Sequence, residues 1–542
     1  MGTLAACLLY FWISKPIITT MRLLFHAVFL FFLSLSVLTA QNQAPVISNL
    51  TATTEWIDNM LILTLQYDVF DAENEDLNIS MQISDDGGKT YAVSNILLPT
   101  GSIGYPVSPG TNHFIATDIT ALAAMPVTYT VRLVADDLHD PDLQAIVDEV
   151  DSTRMRNRLE FVQGIRHRVT GATHLNEVRD SIRGHFSALG LPVQDHSFQY
   201  GGATGFNIVG TSAGVSAGAE VVIVDAHYDT VTNSPGADDN GSGTIGMMEV
   251  AQVLSRYPMN KTLRFIGFDM EEDGVKGSTA YIQNGIAPGE EIAGVFNFEM
   301  IGYYTEQPNS QELPAGFDLL FPDATAEIAA NSYRGDFLTN VGNANSAELA
   351  AMFDTAAQQY VPGLKVITLV VPGTGQIAPD LLRSDHAPFW LTGRKALMLV
   401  DGADFRNDCY HKPQDTLGKL NFTFMSNIAK ATAAAAAKLA GIIHGDWATT
   451  DFSFLVSTQQ PGEYRCAVRY EEGRIAISAP ECPVKEAWLD LFDAKGALLM
   501  SHPLELTAPA QFVNTPPLQA GMYFARLRWQ GGASTQKMVV AH

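Results

Sequence analysis

Basic residues are scarce in this chain. Lysine and arginine number 33 against 58 aspartates and glutamates, which leaves a formal net charge of −25 over 542 residues. Nucleic-acid binding needs clustered basic side chains to displace phosphate counterions, so no nucleic-acid partner is expected. The excess charge says little about the fold. Cysteine is rarer still, at four residues, too few for a disulfide-dense scaffold. Cys7 lies in the leader region, Cys409 stands apart, and Cys466 and Cys482 are placed to pair within the C-terminal part. Long apolar runs are missing after residue 41, so the mature chain is expected to be soluble, with no membrane span. No internal repeat or low-complexity tract stands out, apart from one alanine run.

What the chain does contain is 46% hydrophobic residues, ample for a sizeable core, and a length that suits roughly two to four domains. Its most hydrophobic part is residues 1–40. Met21-Arg22 precede LLFHAVFLFFLSLSVLTA and then Gln41, the layout of a signal peptide cleaved after Ala40, although Leu38 suits the −3 position badly. The earlier run Leu4–Ile13 is too short to cross a bilayer, and Met21 fits as an alternative initiator. A retained N-terminal anchor is the competing reading. Export to a secreted or cell-surface location is expected.

Residues 41–140 follow period two. Leu61, Leu63, Leu65, Tyr67 and Val69 recur at alternate positions, as do Leu77, Ile79, Met81 and Ile83, then Val127, Tyr129, Val131 and Leu133. Half-buried strands separated by turns such as Asp86-Gly87-Gly88 predict a small β-sandwich. It resembles the immunoglobulin-like or fibronectin-type modules found ahead of secreted bacterial enzymes. Its acidic loop (Asp71, Glu73, Glu75, Asp76) reads as solvated rather than calcium-binding.

Over residues 150–445 the pattern changes. Leu175, Val178, Ile182, Phe186 and Leu189 keep helical spacing up to Gly190. Apolar strands are expected at 205–209, 221–224, 263–268 and 295–298, with helical stretches between the last three, and an alanine-rich helix at 425–439 closes the unit. The prediction is an α/β domain with a mostly parallel sheet and helices on both faces. From Asp451 to the end the pattern is β again, with a hairpin of 522–529 against 535–540. Two small all-β domains therefore flank the α/β unit.

Three of these strands finish on chemistry. Val221–Val224 leads to His227, Asp229, Asp238 and Asp239; Leu263–Phe268 leads to Glu271-Glu272; Val295–Phe298 leads to Glu299. In an open α/β sheet the carboxyl ends of the strands share one edge, so these side chains can converge. His411, before Asp415-Thr416, and His386, in the segment SDHAPF, are both open as a further ligand. His411 is the first candidate and His386 the second, and on pattern alone either fits a ligand or a hydrogen-bonded structural histidine.

The segments HYD at 227–229, GADDNGSG at 236–243, EE at 271–272, EMIG at 299–302 and YH at 410–411 resemble, in order and spacing, the M28 family of zinc aminopeptidases. The resemblance implies two zinc ions held by His227, Asp239, Glu272, Glu299 and His411, with Asp239 as the bridge. It implies Asp229 as the orienting partner of His227, Glu271 as general base and Tyr410 as a donor to the oxyanion. Asp385 and Arg406 would shape the substrate end, and Asp238 is left without a role. Many family members carry Asp where Glu299 stands, so metal geometry is open to a shift there. The C-terminal residues Gly521-Met522-Tyr523 and Lys537–Val540 are similar to the sorting domain of the type IX secretion system. That implies outer-membrane secretion machinery as a partner, and the extracellular side of a Gram-negative-type envelope as the destination. The implied activity is removal of N-terminal residues from peptides. A single-zinc glutaminyl cyclase, a carboxypeptidase and an inert adhesion protein are the alternatives. Which N-terminal residue is preferred is not legible, the pocket being expected in loops between Tyr303 and Pro379.

Overall fold

The computed structural model describes residues 42–540 except 58–59, 94–95, 124–127, 217–219, 454–466, 472–473, 479–485, 494–496, 506–509, 520 and 530–531. The leader reading, Cys7, Val127, and the Cys466–Cys482 pairing lie outside these residues. Among the described residues Cys409 is a free, half-buried thiol, and no helix is long and apolar enough to cross a membrane.

An eight-stranded sheet forms the middle of the molecule. Its spatial order begins Val366–Val371, Leu338–Asn343, Ala396–Val400, Ile292–Glu299. It continues Val221–His227, Thr262–Phe268, Ala203–Ser212, Val193–Tyr200. Four neighbouring pairs are parallel and three antiparallel, so the sheet is more mixed than the expected mostly parallel one. The central strand Val221–His227 is buried at every position. Successive side chains of a strand point to opposite faces. Val222 and Val224 accordingly enter the core with helices Gly243–Leu254 and Phe422–Ala440, while Val221 and Ile223 join Phe317, Phe389 and Trp390 on the other face. Both faces are thus covered by helices, which explains a run of four apolar residues with no alternation.

The N-terminal module is a sandwich of two four-stranded sheets over Leu61, Leu63, Leu65, Tyr67, Ile79, Val131 and Leu133. One of its strands, Gly445–Phe452, comes from beyond the α/β unit and pairs along its length with Tyr129–Asp136. The boundary expected between 445 and 451 therefore runs through a strand of the first module. Residues 467–540 form two further small sheets around Ile475, Ile477, Leu489, Leu491 and Leu527. Their terminal hairpin pairs Gly521–Trp529 with Gly532–Val540. The side chains of Met522, Lys537 and Val539 lie outside the described residues.

Candidate metal centre

Titratable side chains meet at the carboxyl edge of the sheet. His227 ends the central strand and Asp229 follows two residues later. The chain then passes through Gly236, where φ is 56° and a Cβ would lie 2.2 Å from the Asp239 carbonyl oxygen, so only glycine fits. That tight passage sets Asp238 and Asp239 ahead of helix Gly243–Leu254. Glu271 and Glu272 follow one adjacent strand, Glu299 ends the other, and His411 arrives from the loop after Ala396–Val400. Met270, Met300 and His411 hold left-handed φ angles of 55°, 49° and 57°. Each such residue costs about 1–3 kcal/mol, and such strain concentrates at functional sites.

The nitrogens and oxygens group into two triads, His227 with Asp239 and Glu299, and Asp239 with Glu272 and His411. His227 Nε2 lies 3.6 Å from Asp239 Oδ1 and 3.3 Å from Glu299 Oε2. His411 Nε2 lies 3.0 Å from Asp239 Oδ2 and 3.2 Å from Glu272 Oε2. Asp239 turns one oxygen to each triad. Donors about 2.0–2.1 Å from a tetrahedral ion stand about 3.3 Å from one another, and the four separations bracket that value. Yet both ring nitrogens of His227, Nε2 of His411 and Oε1 of Glu272 are buried without a hydrogen-bond partner. Side chains that face a shared point rather than each other fit a metal, and an imidazole–carboxylate set suits zinc.

The electrostatics agree. Burial, with repulsion from Glu299 and Asp385 against the pull of His227, lifts the Glu271 carboxyl well above its ordinary range. Burial and Asp239 push Glu272 up to about 7. Burial alone would lower the two imidazoles. Glu299 and Glu271 reverse this for His227, and Asp239 and Glu272 raise His411 to about 10. The cluster is short of positive charge, which divalent cations would supply.

A second set of groups holds the first. Asp229 accepts the amides of Glu271 and Glu272 at 3.0 and 3.1 Å, and its Oδ1 stands 3.4 Å from His227 Nδ1. That last pair is at ion-pair distance but outside hydrogen-bond geometry. Asp415 accepts the amides of Asp238 and Asp239 at 2.9 and 3.1 Å. Ser384 donates its hydroxyl to Glu299 Oε2 at 2.6 Å. Beneath them the fully buried Arg166 donates to the carbonyls of Val162, Gly164, Tyr228, Pro235 and Gly236.

Other expected residues fall elsewhere. Asp238, left without a role by the sequence, is a buried fastener: it accepts the Gly302 amide at 2.9 Å and the Asn407 amide group at 2.7 Å. His386 donates to or accepts no carboxylate; its Nε2 bonds the Leu381 carbonyl and its ring meets Trp390 edge-on. Between the two open histidines, only His411 joins a triad. Asp385 is fully buried and Arg406 nearly so, Arg406 donating to Gln311 Oε1 and the Phe337 carbonyl. Neither is among the residues that line the cavity at the site. Tyr410 does line that cavity, beside Glu299, with its ring stacked on His411 at 3.8 Å. The cavity walls are largely apolar, including Phe317, Phe337, Ile367, Leu369, Met398 and Val400. Part of this wall lies outside the expected 303–379 span.

Residues 207–436 match Peptidase family M28. The chain is 29% identical to the uncharacterized protein YfbL of Escherichia coli (strain K12), across 47% of this chain and 77% of that protein. It is 27% identical to leupeptin-inactivating enzyme 1 of Streptomyces exfoliatus, across 58% of this chain and 63% of the other. It is 46% identical to aminopeptidase YwaD of Bacillus subtilis (strain 168), across 36% of each. The chain thus spans under two thirds of the length of these last two relatives. The family match contains His227, Asp239, Glu272, Glu299 and His411, and so encloses both triads.

Proposed function

We propose that this chain is an exported aminopeptidase of the M28 family that works with two zinc ions. The observation that carries this reading is the pair of ligand triads sharing Asp239. His227 and Glu299 complete one metal position and Glu272 and His411 the other, each with three protein donors and room for a further ligand. When bound, the ions supply Lewis acidity, acidifying a water and polarising the scissile carbonyl. Glu271 accepts the proton of the attacking water and returns it to the leaving amine. Tyr410 offers its phenolic proton as a hydrogen bond to the developing oxyanion. Asp229 sets the Glu271 and Glu272 backbones and faces the His227 ring, so one carboxylate orients base and ligands together.

The substrate of this reading is a peptide whose N-terminal side chain enters the apolar cavity beside Glu299 and Tyr410. The family match and the similarity to YwaD support hydrolysis at an N-terminus. The signal-like residues 1–40 support export, and the C-terminal β unit is proposed to engage type IX secretion machinery. A five-ligand set favours two ions over the single zinc of a glutaminyl cyclase.

Metal analysis of the purified chain, together with hydrolysis of a panel of amino-acid amides, tests the reading. Two zinc ions per chain and stepwise release of N-terminal residues are expected. Glu271→Gln should keep both ions and lose on the order of 10²–10⁴-fold in kcat. One ion per chain would move the assignment to a cyclase, and a zinc-loaded chain without hydrolysis would leave a binding protein.

A further inference from the structure

We propose that Arg383 is a positioning residue for Tyr410, fixing the direction in which the phenol donates its proton. This rests on the peptidase reading above. Arg383 Nη2 lies 2.9 Å from the Tyr410 oxygen. A guanidinium has only donors, so the phenol oxygen must be the acceptor in this contact. Its own proton is then barred from pointing at Arg383 and is free for a group in the cavity that Tyr410 and Glu299 share. The ring cannot swing away to use it elsewhere, because it stacks on His411 with planes 17° apart. A charged donor on the phenol oxygen also polarises the O–H bond, which makes it a stronger donor in turn.

Arg383 is itself aimed by carboxylates. Its Nη1 contacts both oxygens of Asp404 at 3.2 and 3.1 Å, and Asp380 stands 3.9 Å away. The chain Asp404–Arg383–Tyr410 therefore runs from the rim of the cavity to the side of the metal centre. An arginine at the rim with two acidic neighbours is ordinarily a solvated ion pair of little consequence. Here its second nitrogen reaches inward to a half-buried phenol, and that contact separates the two cases.

The test is a double-mutant cycle on the zinc-loaded full chain, using Arg383→Ala, Arg383→Lys and Tyr410→Phe. Kinetics on amino-acid amides are read beside calorimetric binding of an α-amino boronic acid, whose tetrahedral adduct carries an oxyanion-like oxygen. Arg383→Ala is expected to lower kcat roughly 3- to 30-fold with KM nearly unchanged, and to weaken boronate binding by a similar factor. In the Tyr410→Phe background the same substitution should change neither quantity more than about twofold, since the group it positions is gone. Arg383→Lys should recover part of the loss, because an ammonium can still donate to the phenol oxygen. Equal losses in both backgrounds, or an Arg383→Ala chain with unaltered kcat and boronate affinity, overturn the proposal while the peptidase reading stands. A wild-type chain that neither hydrolyses the amides nor binds the boronate overturns both.

Discussion

Amide-binding carboxylates hold this candidate metal centre as firmly as its two triads define it. Asp415 takes the backbone amides of both Asp238 and Asp239, so it fixes the backbone from which the shared Asp239 carboxylate projects. Asp415→Ala is expected to weaken zinc binding on the order of 10- to 100-fold, the usual cost of losing an outer-shell partner, with secondary structure intact. Competition against a chromophoric chelator reads this directly, and an unchanged affinity would show that Asp239 is held by the helix start alone. The residues of the two triads were largely legible in the sequence. His227, Glu271-Glu272 and Glu299 stand at the ends of apolar runs, and strand ends share an edge. Their supports were not legible. Asp415, Ser384 and Arg166 act across long sequence separations on main-chain groups or on a single oxygen, and such contacts leave no spacing to read. Asp238 shows the same limit from the other side, since its partners Gly302 and Asn407 come from loops with no pattern.

Among the elements, burial alone did not decide which strands were legible: Val221–His227 announced itself, whereas Ala396–Val400, buried at all five positions, did not. Val221–His227 is apolar through four residues, whereas Leu338–Asn343 carries Asn340 and Asn343, and the outermost strand Val193–Tyr200 is mostly polar and exposed. The missed strands line the cavity: Thr339, Ile367, Leu369, Met398 and Val400 face it from three of them. The preference of the proposed peptidase was unreadable because these strands were. The apolar cavity wall predicts leucine and phenylalanine amides turned over with kcat/KM about 10- to 100-fold above alanine amide, at roughly 0.8 kcal/mol per buried methylene. Parity between leucine and alanine would place the side chain outside the cavity. A second prediction concerns two packed helices, Ala172–Ala188 and Gly243–Leu254. His185 links them, its Nε2 donating to the Met248 carbonyl at 2.9 Å while Arg158 approaches Nδ1. Burial, with Arg158 and Arg154 nearby, lowers the imidazole from 6.5 to about 4. Below pH 6.5 the unfolded chain takes up a proton that the folded chain refuses until about pH 4, so stability falls as pH falls through that window. The stability of wild type relative to His185→Gln, from urea unfolding, should drop by up to about 3 kcal/mol between those limits. A constant difference would mean the histidine titrates normally.

On the scale of the whole molecule, the N-terminal sandwich is not an appendage. Its strand Gly445–Phe452 arrives after the entire α/β unit, pairs with Tyr129–Asp136, and stacks Phe452 on Tyr129 at 5.5 Å. Asp446 accepts the Ile47 amide, and Asp451 accepts the Thr130 hydroxyl. From the other side, buried Arg132 donates to the carbonyls of Ala213 and Gly214, and Gln82 to that of Val215. The sequence hid this because GDWATTDF shows no period-two apolar alternation and its partners lie some 310 residues earlier in the chain. Two truncations separate a knitted structure from a string of modules. A chain ending after Ser453 keeps the returning strand and should hydrolyse amides at the full-length rate, with an unchanged unfolding midpoint for the α/β unit. A chain ending after Ile443 keeps helix Phe422–Ala440 and its Gly441 cap but strips an eight-residue ladder and the Phe452 contact from the sandwich. It is expected to unfold on the order of 10 °C lower by calorimetry, since losing several kcal/mol moves the midpoint of a large domain by a few degrees each. Equal midpoints for the two chains would make the sandwich independent of the returning strand. A lower midpoint confined to the shorter chain would tie the module's stability to the strand that follows the site.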